Sequence, residues 1–137
     1  DIQMIYTYYL QLMHGGDSVK RDNREQEISY ISRQLKALSK ELGIPVLALS
    51  QLSRAVETRG GTKKPVLSDL RESGAIEQDA DMVAFLHCSD EEREKQDSLM
   101  EFVIRKHRNG PLKDIPLIFQ RATSTFVNVA NSEIEEI

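Results

Sequence analysis

The sequence predicts an α/β fold: a mostly parallel sheet flanked by helices, with an antiparallel hairpin toward the C-terminus. Three observations predict it. Apolar runs at residues 3–10 and 45–50 show no polar alternation, as in strands covered on both faces. One amphipathic helical pattern lies between them, which makes a strand–helix–strand unit and hence a parallel pair. Farther on, Asn109-Gly110 sits between two more apolar runs, the pattern of a tight hairpin.

The elements follow in order. Residues 3–10 are β-branched and aromatic and read as a strand. "HGGDSVKRDN" holds two glycines and several turn formers and reads as a loop. From about residue 24 to 42, Ile28, Ile31, Leu35, Leu38 and Leu42 recur at steps of three and four, so they share one helical face. Asn23 is placed to cap this helix, with Gln26 three residues on. Gly43 can take the left-handed conformation that ends it, and Pro45 prevents resumption. "PVLALSQ" is the next strand. "SGAIEQDA" suggests a short helix capped by Ser73, and "DMVAFLH" a third strand. "SDEEREKQDS" reads as a solvated loop or helical turn, the hairpin follows, and "TSTFVNV" is a last short strand. There are no internal repeats. Residues 1–130 form the structured part, and 131–137, "NSEIEEI", an acidic tail.

Composition narrows the function. The 137 residues suffice for a real core. No apolar run approaches the ~20 residues of a membrane span, and no basic-then-apolar leader opens the chain. The chain begins directly at a strand-like segment, which suits an intact domain and equally a piece of a longer one. A single cysteine, Cys88, cannot form an internal disulfide, so a reducing compartment, the cytoplasm, fits best. The net charge of −4 does not advertise a nucleic-acid binder. The charge is uneven, however. Residues 51–75 carry Arg54, Arg59, Lys63, Lys64 and Arg71 against three acids, a local patch able to attract phosphate.

In an open parallel sheet, ligands sit beyond the C-terminal ends of the strands. Gln51 lies there; its amide can sense a phosphate or orient a water, although the pattern alone favours a glutamine that caps a strand end. Lys106 and Arg108 share one side of the hairpin tip "RKHRNG", which makes either an anion clamp or a solvated turn. The three histidines have no metal-ligand spacing, so no metal site is expected. No Gly-rich loop ending in Lys-Ser/Thr is present to cradle phosphates.

Four stretches together resemble the C-terminal motor domain of bacterial replicative DNA helicases, the DnaB family. They are "YLQLM" (9–13), "REQEISYISRQLKALSKELGIPVLALSQLSR" (24–54), "LSDLRESGAIEQDAD" (67–81) and "KHRNGP" (106–111), in the family's order. The resemblance implies a partial RecA-like fold. It implies, for the intact protein, a homo-hexamer that uses ATP and Mg²⁺ to move along single-stranded DNA, with primase and a helicase loader as further partners. It also implies the site. Gln51 matches a glutamine near the γ-phosphate, and Lys106 and Arg108 match the pair that reaches a neighbouring subunit's nucleotide. Arg71, Glu72 and Gly74 match a loop that grips DNA phosphates, where an Arg–Glu pair fixing a helix start is the alternative. Tyr8 stands where the family's Walker B strand carries an aspartate. A phenol is neutral at pH 7 and cannot replace a carboxylate around Mg²⁺. The phosphate-binding loop and the acid that activates water lie upstream in the family and are not among these residues. Two readings follow: part of an active helicase, or a non-hydrolysing truncated or degenerate homologue that binds DNA or helicase subunits. In either case this chain alone is expected to hold no cofactor tightly and to hydrolyse no ATP.

Overall fold

A computed structural model describes residues 2–16, 23–61, 63–70 and 74–129. The chain divides into two compact units, residues 1–59 with 66–80, and residues 60–65 with 81–137. The acidic tail expected at 131–137 lies outside the described residues.

In the first unit, β1 (Ile5–Thr7) pairs in parallel with β2 (Val46–Ala48), and α1 (Arg24–Leu42) is the crossover between them. The helix keeps the bounds its periodicity predicts. Asn23 Oδ1 accepts the Glu25 N–H at 3.0 Å, and Gly43 ends the helix at φ 64°. Ile28 and Ile31 are buried with Leu10, and Met13, Leu35 and Ile76 pack around them. Each such side chain contributes about 1.5–3 kcal/mol by leaving water. The same stripe opens toward the C-terminus of α1, where Leu38 and Leu42 are exposed. Short helices α2 (Ala55–Thr58) and α3 (Gly74–Asp79) complete the unit. Ser32 Oγ donates to Asp79 at 2.8 Å and ties α1 to α3.

Two expectations are corrected here. The first strand stops at Thr7 rather than running to residue 10. Tyr9 adopts φ 31°, and Leu10–Leu12 form a 3₁₀ turn. The turn lets Leu10 drop into the core beneath α1, which a continued strand would not allow. Nor are these strands covered on both faces. Tyr6 and Leu47, partners in the register, are 66 % and 49 % exposed. A two-stranded pair covered by one crossover helix has one face left over.

The second unit is an antiparallel sheet in the order β3 (Met82–Cys88), β4 (Asp97–His107), β5 (Lys113–Gln120), β6 (Thr125–Asn128). Val83, Phe85, Val103 and Ile104 are the buried apolar residues of its strands, and Ser98 in β4 is buried as well. The Asn109-Gly110 hairpin forms as expected between β4 and β5. The sheet expected to be mostly parallel is parallel only at β1–β2 among the described residues. The physical reason is connection length: residues 89–96 join β3 to β4, too short for the crossover of a dozen residues that a parallel neighbour needs. The register slips between Val83 and Ala84, which pair with Lys106 and Ile104, so Arg105 is the extra residue of a β-bulge. A bulge adds local twist and re-aims the residues beyond it, here the hairpin tip.

Candidate functional site

Because β1 and β2 run parallel, their C-terminal ends share one edge of the first unit. Tyr8 leaves β1 at this edge and is 76 % exposed. Gln51 leaves β2 three residues beyond its end and is also exposed. The backbone between them stays paired: Leu49 N–H donates to Thr7 O at 3.1 Å, and Leu10 N–H to Leu49 O at 2.9 Å. Beyond that the pairing passes to a side chain. Gln11 Nε2 donates to Ser50 Oγ at 2.9 Å and to Gln51 O at 3.5 Å, and Gln11 Oε1 accepts the Gln51 N–H at 3.2 Å. Gln51 thus has a fixed backbone and a side chain turned to solvent, an arrangement that fits a contact to a phosphate.

Behind this edge, Arg24 at the start of α1 donates to the carbonyls of Gln11 and Met13 and to Glu27. Glu27 also accepts the Gly15 N–H at 3.0 Å, and that bond, ahead of Arg24, holds its carboxyl below the usual range. The chain leaving β1 is therefore anchored to the first turn of α1.

The segment that leads into the sequence "RESG" is anchored by a buried acid. Asp69, 3 % exposed, pairs with Arg59 and accepts the Val66 N–H at 2.8 Å. Its carbonyl accepts the Ser53 N–H at 3.0 Å. Hence the 3₁₀ turn Leu67–Leu70 is pinned to the stretch just after Gln51. Arg71 and Glu72 lie outside the described residues. Gly74 opens α3 and is exposed; a Cβ there would meet nothing within 4 Å, so packing within the chain does not demand glycine at this position.

Lys106 lies in β4 opposite Val83, and Arg108 follows the end of that strand. Arg108 N–H donates to Asp81 O at 2.8 Å, and its guanidinium meets the Asp81 carboxylate at 3.1 Å with both side chains half exposed. The His107 ring lies over Gly110 where a Cβ would stand, so a side chain at this position would push the ring aside. Below the tip, Lys64 reaches Asp114 at 2.7 Å and Glu101 at 2.8 Å, while Arg105 holds the other Asp114 oxygen at 2.6 Å. Arg105, then Lys64, lower the Asp114 carboxyl to about 2, and Asp114, then Glu101, raise the Lys64 ammonium above its ordinary value. This network ties residues 63–65 to β4 and β5 and braces the hairpin.

Among the described residues no group of three His, Cys, Asp or Glu side chains could hold a metal ion. At the end of β1 the side chain on offer is the Tyr8 phenol and not a carboxylate, so the residues present do not fit Mg²⁺. Sequence reasoning missed Gln11, Asp69 and Asp81. Gln11 left a trace, as the one amide within the run "YYLQLM"; the other two were hidden inside a long matching string.

Comparison with known proteins decides the family. Residues 1–128 match the model of the DnaB-like helicase C-terminal domain. The chain belongs to this family. It is 50 % identical over 128 residues to the replicative DNA helicase DnaC of Bacillus subtilis, and 51 % identical over 128 residues to the replicative DNA helicase DnaB of Geobacillus stearothermophilus. Each match covers 92 % of this DnaB-like chain and 28 % of the relative, so the chain spans under a third of their length. Among solved structures, it resembles a DnaB-like replicative helicase described with its interactions with primase, at a TM-score of 0.83 and 45 % identity, over 93 % of this chain and 30 % of that one. It also resembles a separately solved ATPase domain at a TM-score of 0.81 and 45 % identity, over 93 % of this chain and 44 % of that one.

Proposed function

We propose that this chain is the C-terminal part of a RecA-like motor domain in a hexameric, ATP-dependent replicative DNA helicase, which moves along single-stranded DNA and unwinds duplex DNA in the bacterial cytoplasm. The observation that carries the reading is the match of residues 1–128 to a family whose relatives are replicative helicases at about half identity. In this reading residues 1–130 belong to the motor and 131–137 form a tail. Gln51 contacts the γ-phosphate of ATP. Arg108, with Lys106, reaches a neighbouring subunit's nucleotide, where a guanidinium stabilises charge on the transferred phosphoryl. For Arg108 to do so its contact with Asp81 must open, and an ion pair half exposed to water is weak enough to permit that. Arg71, Glu72 and Gly74 hold DNA phosphates without reading bases. Primase and a helicase loader are further partners, consistent with the solved relative described with primase.

Tyr8 favours a second reading, a non-hydrolysing homologue that binds DNA or helicase subunits. One experiment separates the two. In the full-length subunit, Arg108→Ala should abolish ATP turnover and leave nucleotide binding intact, and mixing it with a phosphate-loop variant should restore some activity. Turnover in neither the parent nor a Tyr8→Asp subunit would favour the second reading. A parent hexamer that turns over ATP, with a mixture of the two variants that forms hexamers normally yet stays dead, would refute the action of Arg108 in trans.

A further inference from the structure

We propose that Gln11 is the positioning residue that sets Gln51 for its contact with the nucleotide; this rests on the reading of Gln51 given above. The backbone cannot do the task. After Thr7 the chain turns through Tyr9 into a 3₁₀ helix, so the β1–β2 ladder has no main-chain partner to offer Gln51. The Gln11 carboxamide replaces that partner. Its oxygen takes the Gln51 N–H and its nitrogen reaches Gln51 O, the donor and acceptor pattern of a strand, while the same nitrogen fixes Ser50 Oγ.

Gln11 is itself held from behind. Arg24 donates to its carbonyl, and Leu10 beside it is buried against Ile28 and Ile31. A residue so anchored transmits the position of the α1 N-terminus to Gln51 across a sequence gap of 40 residues. The Ser50 hydroxyl is no substitute: it reaches only Gln51 O, at 3.4 Å, from the neighbouring residue. Glutamine suits the place because both an acceptor and a donor are needed at the reach of two methylenes.

The test has two readouts. In this chain, Gln11→Ala should speed hydrogen exchange at the Gln51 N–H by about tenfold or more, while the Leu10 N–H, bonded to Leu49 O, stays protected. In the full-length subunit, with Tyr8→Asp in every variant to supply a carboxylate for the metal, Gln11→Ala should lower kcat about tenfold and leave KM for ATP within about twofold, as expected for a misplaced rather than a missing contact. Gln11→Glu keeps the length and the acceptor for the Gln51 N–H but loses the donor to Gln51 O, so only part of the turnover should return. Gln11→Ala combined with Gln51→Ala should be no slower than Gln51→Ala alone. Unchanged exchange at Gln51, or effects that multiply in the double variant, would overturn the proposal while Gln51 keeps its role. A Gln51→Ala subunit with normal turnover would instead remove the reading beneath it, and this proposal with it.

Discussion

Replacing Arg59 with alanine tests whether the buried Asp69 carboxylate anchors the segment before "RESG". Asp69 is 3 % exposed, and its partner guanidinium is the cation that makes this tolerable. Removing one partner of a buried pair typically costs about 3–5 kcal/mol, because a charge is left without compensation. Two features reduce the figure here. The Val66 N–H still donates to one Asp69 oxygen, and the Arg59 side chain is 33 % exposed, so water can enter where it stood. A loss of about 2–4 kcal/mol from the local stability of residues 66–70 follows. The readout is hydrogen exchange at Ser53 and Val66, whose N–H groups are bonded to Asp69. Each ~1.4 kcal/mol raises exchange tenfold, so these amides should speed up by a factor of roughly 30 to 1,000. Arg33→Ala is the control. Arg33 lies on the exposed side of α1 and bonds the Ser29 carbonyl of its own helix, so its loss should cost under about 0.5 kcal/mol. On the proposed reading, Arg59→Ala should also weaken single-stranded DNA binding in the assembled ring. Exchange at Ser53 and Val66 equal to that of the Arg33 control would refute the anchoring role.

Arg71→Ala in an assembled hexamer should weaken single-stranded DNA binding equally for all base sequences and lower the salt slope by roughly 0.7 per lost phosphate contact; an unchanged slope in a salt titration would count against a phosphate contact. The isolated chain should not hydrolyse ATP, and Tyr8→Asp should not rescue it, because no phosphate-cradling loop is among its residues; Mg²⁺-dependent phosphate release absent from a mock purification would contradict this. Asp114, lowered from 3.8 to about 2 by Arg105 and Lys64, stabilises the folded state above its unfolded value and loses that contribution as pH falls toward 2. Melting of the parent chain should therefore drop more steeply from pH 4 to pH 2 than that of Asp114→Asn. Lys64 has the opposite sign: its raised value stabilises below 10.5 and is lost as pH rises above it.

What depends on neighbours along the chain was legible in one dimension. The spacing from Ile28 to Leu42, with Asn23 and Gly43 as caps, set α1 to the residue. Asn109-Gly110 set the hairpin, and "LSDLRESGAIEQDAD" pointed to the family later found by comparison. That a phenol stands at Tyr8, where the resemblance implies an aspartate, was legible without a structure. Contacts between residues far apart settled the rest. Thr7 ends β1 because Leu10 turns into a core supplied by α1, which no window around residue 10 contains. β3 pairs antiparallel because of its partner, since an apolar run carries no direction. The bulge at Arg105 shifts the hairpin tip by a register that only the strand opposite defines. Gln11 finds the partner of its amide only when Gln51, 40 residues away, is brought to it, and Asp69 is buried where Arg59 meets it. Periodicity and caps are local and survive without a third dimension; burial and pairing are set by which distant groups meet, because hydrogen bonds and desolvation act through space rather than along the chain.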